Sequence, residues 1–127
     1  MTFCAVINCM DGRTQLPVNN YLMQRFNVKY VDMLTDAGPL GILTKDPDSD
    51  RAQHFIERVT TVIRVHDVTQ LAIAGHWDCR GNPVPKDQQL AQMREVVLRY
   101  REVFPQLTII GLWVDENQDV HEIDITA

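Results

Sequence analysis

The feature that most restricts what this chain can fold into is an alternation of short apolar runs with longer stretches of helical spacing. Phe3 to Asn8 is a β-compatible run that stops at the polar, glycine-containing turn Cys9-Met10-Asp11-Gly12-Arg13. Pro17 then suits the first turn of a helix, with Leu16, Tyr21, Leu22 and Phe26 sharing a face, and Val28 to Leu34 gives a second strand. Thr35 to Gly41 is a loop by its Gly and Pro content. A helix is expected to start near Ser49, because Ala52, Phe55, Ile56, Val59, Val62 and Ile63 form a stripe that needs an apolar surface to cover. Gln70 to Gly75 lacks polar alternation, as a strand buried on both faces does. A long helix follows from about Asp87 to Phe104, carrying Leu90, Met93, Val97, Tyr100 and Phe104, and Pro105 stands where it should stop. Leu107 to Val114 is a fourth strand, and Val120 to Ile125 alternates like a half-exposed edge strand after the turn Glu116 to Asp119.

Strand and helix alternating in this way predict an α/β architecture: a three-layer, Rossmann-like fold with a mostly parallel five-stranded sheet, order 2-1-3-4-5, the last strand antiparallel. The 127 residues fit one domain spanning 1–127. With 12 Lys+Arg against 17 Asp+Glu, a formal charge of −5 and no basic cluster, neither nucleic acid nor an anionic membrane is the expected partner; a small molecule is. The start of the chain lacks the basic and long apolar stretches of a secretory signal, so the expected setting is cytoplasmic. Three cysteines are too few for a disulfide scaffold, which makes metal binding or thiol chemistry the better question.

Cys9 and Cys79 fall in the two most informative loops. His76 and Cys79 are three residues apart directly after the third strand, a spacing that lets an imidazole and a thiolate converge on one ion as the chain turns into a helix. Open α/β sheets bind ligands at the carboxyl ends of strands where the winding reverses, here between strands one and three. Cys9 ends strand one, so Cys9, His76 and Cys79 meet at that crevice as a Cys2His set suited to Zn2+, with a fourth position open. Cys4, roughly 16 Å back along an extended strand, cannot join them and reads as a buried apolar side chain. Asp11 and Arg13 follow Cys9 at alternate positions and can pair beside the metal: Asp11 as hydrogen-bond acceptor, or as a ligand in a contracted site, and Arg13 as the group that keeps it ionised and oriented. Trp77 is expected to cover the site, Asp78 to cap a helix or stay solvated, and Arg80 to support the Cys79 thiolate or lie on the surface.

The pair of motifs C-x-D-x-R (CMDGR) and, about 60 residues later, H-x-x-C (HWDC) resembles the β-class carbonic anhydrases. The likeness extends over nearly the whole chain, through Ala37-Gly38 after strand two, Gly75-His76, and the closing strand, turn and strand from Leu107 to Ile123. It implies Zn2+ held by Cys9, His76 and Cys79, the dyad Asp11 and Arg13 as catalytic residues, and a zinc lyase (carbonate dehydratase) that hydrates CO2 reversibly to bicarbonate by a zinc-bound hydroxide. It also implies a homodimer or higher homo-oligomer. Thr35-Asp36-Ala37-Gly38-Pro39 stands where that family has Arg-Asn-Ala-Gly-Asn, and Cys79-Arg80-Gly81 where it has Cys-Gly-Gly, so two loops bordering the pocket carry unfamiliar charges; with strand one at its start and a short segment between HWDC and the fourth strand, the chain looks like a short, minimal member. The same chemistry would serve carbonyl sulfide or carbon disulfide, and a non-catalytic zinc-binding relative is the reading from a different class. His54, His66 and His121 are available as proton carriers, although nothing in the sequence aims them at the site.

Overall fold

The computed structural model describes residues 2–126. In chain order the elements are β1 (Phe3–Cys9), α1 (Gly12–Phe26), β2 (Tyr30–Asp36), α2 (Pro39–Lys45), α3 (Asp50–His66), β3 (Gln70–His76), α4 (Lys86–Val103), β4 (Thr108–Val114) and β5 (Val120–Ile123). The strands form one five-stranded sheet ordered β2-β1-β3-β4-β5, parallel throughout except for antiparallel β5. This is the expected order and orientation. The alternating side chains of each strand divide between two cores. Ala5, Ile7, Leu71 and Ile73 pack with Phe55 and Val59 of α3 and Met93 and Val97 of α4, whereas Cys4, Val6, Ala72 and Leu112 pack with Val18, Leu22 and Phe26 of α1. The three layers are therefore α1, the sheet, and the α2–α3–α4 side. Each large side chain fully buried in either core, such as Phe55 or Leu22, is worth about 1.5–3 kcal/mol in transfer free energy.

Three local expectations need correction. Pro17 lies inside α1 rather than in its first turn, because Asp11 caps the helix several residues earlier by accepting the Arg13 N–H at 2.9 Å. The stretch expected as loop through Gly41 contains the start of α2. Gly38 enters it in a left-handed conformation (φ 58°), Pro39 occupies the first turn where a missing N–H costs nothing, and Leu40 and Leu43 are buried. Tertiary burial here outweighs the loop signal of the Gly and Pro residues. Finally, His76-Trp77-Asp78-Cys79 does not turn into a helix: residues 77–85 are irregular and α4 begins only at Lys86. The expected start of α3 is correct, with Ser49 Oγ accepting the Ala52 N–H at 3.2 Å.

What positions the site is a split in the sheet. β1 and β3 pair only from Ala5↔Leu71 to Ile7↔Ile73. Beyond that point β1 continues beside β2 to Cys9↔Asp36, and β3 continues beside β4 to His76↔Val114. The two strands diverge at their carboxyl ends and open the crevice where the winding direction reverses.

Candidate metal centre

The structure brings Cys9, His76 and Cys79 together in that crevice, one donor atom from each lying within 4.8 Å of the others, and all three residues buried. Cys9 arrives on the last residue of β1 and His76 on the last of β3. Cys79 is swung back by Asp78, which adopts a left-handed conformation (φ 51°) that aspartate tolerates better than most residues. The loops after β2 and β3 meet backbone to backbone. A Cβ on Gly81 would lie 2.7 Å from the Ala37 carbonyl carbon, so a side chain at this position would push the loops apart.

The donor set is arranged for a cation. The His76 Nδ1 lies 2.7 Å from the Trp77 carbonyl, and since a carbonyl only accepts, Nδ1 carries the ring proton. In the neutral ring, the form that binds a metal, Nε2 then presents a lone pair, and it is buried without a hydrogen-bond partner. An orphaned acceptor of this kind costs free energy unless something fills the position. The sulfurs of Cys9 and Cys79 lie 3.9 Å apart. Their interaction divides one proton between them: the hydrogen bond from Cys79 brings the Cys9 thiol down to about 4, and the same contact pushes Cys79 up. Backbone N–H groups of Gly38 and Asp11 support negative charge on Cys9, and those of Gly81 and Asn82 support it on Cys79. A borderline-soft cation that accepts two thiolates and one imidazole, such as Zn2+, fits these donors.

Asp11 and Arg13 form the expected pair. The Arg13 Nη2 donates to Asp11 Oδ2 at 2.7 Å and its Nε to Oδ1 at 3.1 Å, so the guanidinium grips both carboxylate oxygens. Arg13 also bridges to the β3 loop, donating from Nη1 to Asp78 Oδ2 at 3.3 Å, and it stacks over the Trp77 ring at 4.5 Å. Hydrogen bonds from Arg13 hold the Asp11 carboxyl down at about 2. The folded state thus binds its proton less tightly than the unfolded chain, whose aspartates titrate near ~3.9. The Asp11–Arg13 contribution to stability is present above that value and lost as pH falls toward about 2. In urea denaturation of the metal-free protein, the decline in stability across this window is expected to be shallower in Asp11→Asn than in the wild type.

Asp11 is not part of the metal-competent cluster, so among the described residues the donor set stays at three. Cys4 is fully buried in the α1-side core, where burial pushes its thiol up to about 11. Trp77 packs against that core. Asp78 caps no helix; it takes the Arg13 and Arg80 guanidinium groups instead. Arg80 is 87% exposed and pairs with Asp78, which makes it a surface arginine rather than a partner of Cys79. His66 stacks on Phe3 and pairs with Asp32 at 2.7 Å near the opposite end of the sheet. His54 is exposed on α3, and His121 pairs with Asp115 at 2.7 Å beside a cleft that Trp77 and Asp78 also line.

Sequence reasoning missed two residues here, Gln89 and Asn82, both almost completely buried. The Gln89 amide bonds the backbone of His76 at both its N–H (3.3 Å) and its C=O (2.8 Å). Asn82 donates to Gln92 at 2.7 Å and fills the space beside Gly38 and Gly41. Gln89 had a findable signal, since it continues the spacing of Met93, Val97 and Tyr100 along the buried stripe of α4.

Comparison with known proteins bears on this geometry. A family model described as "Putative carbonic anhydrase" matches residues 1–124. No curated protein matches the chain in sequence. Among solved structures, the chain is similar to a carbonic anhydrase from Streptococcus mutans (17% identity, TM-score 0.53, covering 95% of this chain and 81% of that one). It is likewise similar to a carbonic anhydrase from Glaciozyma antarctica (14% identity, TM-score 0.55, 95% and 81%). A third likeness is to a β-carbonic anhydrase of the fungal pathogen Aspergillus fumigatus (15% identity, TM-score 0.52, 98% and 76%). At such identities these likenesses establish the shared fold.

Proposed function

The chain belongs to this carbonic anhydrase family, and from that premise we propose that it is a zinc-dependent carbonic anhydrase interconverting carbon dioxide and bicarbonate, with Cys9, His76 and Cys79 as metal ligands and Asp11 and Arg13 as the catalytic pair. The observation that carries the reading is the buried, unpartnered His76 Nε2 set against two thiols that backbone N–H groups prepare for negative charge. Zn2+ held there would supply the Lewis acidity that makes hydroxide available from water near neutral pH.

The chain's own residues do the rest. The Trp77 carbonyl fixes the imidazole tautomer and its direction. Two thiolate ligands offset the charge of the ion, so the water at this site is expected to be less acidic than at an all-histidine centre. Asp11 compensates: kept ionised by Arg13, which engages both its oxygens, its carboxylate serves as a hydrogen-bond acceptor that orients the reacting water. Leu40, Pro39 and Ala74 pack closely around the ligand side chains and shield them from solvent. Each turnover joins one water to CO2 and releases bicarbonate and one proton, which must leave to solvent because Arg13 keeps Asp11 ionised.

The direct test is stopped-flow CO2 hydration between about pH 7 and about 9 on the purified protein, before and after removal of metal by a chelator. Catalysis that rises toward the alkaline end, disappears with the metal and returns with added zinc is expected. A metal-loaded protein with no catalysis anywhere in this range would refute the assignment.

A further inference from the structure

A buried glutamine on α4 has no evident reason to be polar, since its neighbours along the stripe are Met93 and Val97 and an apolar side chain would fill the position at lower cost. Its reason lies in the split between β1 and β3. In a parallel ladder, the N–H and C=O of one residue point to the same neighbouring strand, and successive residues alternate sides. Trp77 donates its N–H to the Val114 carbonyl at 3.0 Å, on the β4 side. The backbone groups of His76 therefore face the side that β1 abandons after Ile7. Left alone, they would be an unsatisfied donor and acceptor in a buried crevice. The Gln89 amide takes both, accepting from the His76 N–H and donating to the His76 carbonyl, and is 2% exposed. Gly75 leaves the room for it: a Cβ there would lie 3.0 Å from Gln89 Oε1.

We propose that Gln89 is a positioning residue for the metal centre, its side-chain amide standing in for the missing strand and fixing the peptide from which His76 is aimed. That peptide unit is held at both ends, its carbonyl by Gln89 and its N–H by Val114. The next carbonyl along the chain, that of Trp77, receives the His76 Nδ1 proton. Releasing one end lets the peptide rotate, moves the Trp77 carbonyl and loosens the direction of Nε2. The inference rests on the metal reading for its functional meaning, while the clamp is testable without metal.

The experiment compares wild type, Gln89→Met, which keeps length but not the hydrogen bonds, and Val97→Ala, which destabilises the same buried stripe away from the site. Zinc affinity by chelator competition is expected to fall about 10–100-fold in Gln89→Met, the usual cost of losing an outer partner of a ligand. Val97→Ala should melt earlier yet bind zinc as the wild type does. In the metal-free proteins, nitrogen NMR of His76 should show the single Nδ1–H tautomer in wild type and Val97→Ala, and a tautomer mixture in Gln89→Met. Hydrogen exchange of wild-type protein needs no variant: the His76 amide should be as protected as those of the strand interior. A Gln89→Met protein with unchanged zinc affinity and tautomer would overturn the proposal, as would a His76 amide exchanging like an exposed loop. If the wild type binds no zinc, the metal reading falls, while the tautomer and exchange results still decide the clamp.

Discussion

Cys79→Ser is expected to lose zinc and CO2 hydration together while keeping the fold. Serine is close to cysteine in shape, and at this buried position its hydroxyl can accept the same Gly81 and Asn82 N–H groups that the sulfur does. It does not ionise near neutral pH, so the centre is left with one thiolate and one imidazole. The affinity loss should exceed the roughly 10–100-fold that follows from removing an outer-shell partner, because a ligand itself is gone. Turnover should fall to the uncatalysed background. Zinc content after dialysis, read with stopped-flow hydration, checks both halves. Cys4→Ala is the matched control: Cys4 sits in the α1-side core and its loss should affect stability but neither zinc nor turnover. A Cys79→Ser protein retaining stoichiometric zinc and full activity would remove the basis of the proposed function.

Asp11→Asn is expected to give the opposite separation, with zinc retained and turnover reduced by about 10–100-fold, the usual cost of losing an ionised hydrogen-bond partner beside a metal centre. Asparagine is as good a helix cap as aspartate, so its Oδ1 can still accept the Arg13 N–H that starts α1. What disappears is the charge that Arg13 grips, and one acceptor oxygen becomes a donor. Arg13→Lys should fall between, because an ammonium cannot reproduce the two-oxygen grip nor the stacking over Trp77. Loss of zinc from Asp11→Asn would mean that the carboxylate closes the site as a fourth ligand, and unchanged turnover would leave the pair without a catalytic role.

How far the amino-acid sequence discloses these features depends on the kind of interaction. The sheet order and its antiparallel last strand follow from apolar runs and stripes, because burial periodicity survives in the sequence. Cys9, His76 and Cys79 are legible for a related reason: each lies at or just beyond a strand end that topology sends to the same crevice. α2 was hidden because its Gly and Pro residues signal a turn, while its stability comes from burying Leu40 and Leu43 against distant elements. Asn82 was hidden because a polar side chain is ordinarily exposed, and although helical spacing marks Gln89 as buried, only the folded chain reveals the His76 backbone groups that it partners where the strands diverge. The irregular path of residues 77–85 likewise goes with contacts between segments distant in sequence, such as Arg13–Asp78 and the close approach of Gly81 to Ala37.

The central claim is that three protein donors hold zinc and leave one position for the reacting water. Zinc-edge X-ray absorption on the purified chain and on Asp11→Asn tests it most directly. The account predicts two sulfurs at about 2.3 Å, one imidazole nitrogen at about 2.0–2.1 Å and one further light atom, in the same proportions in both proteins. A centre without zinc, or one whose fourth light atom is lost with the Asp11 carboxylate, would contradict it.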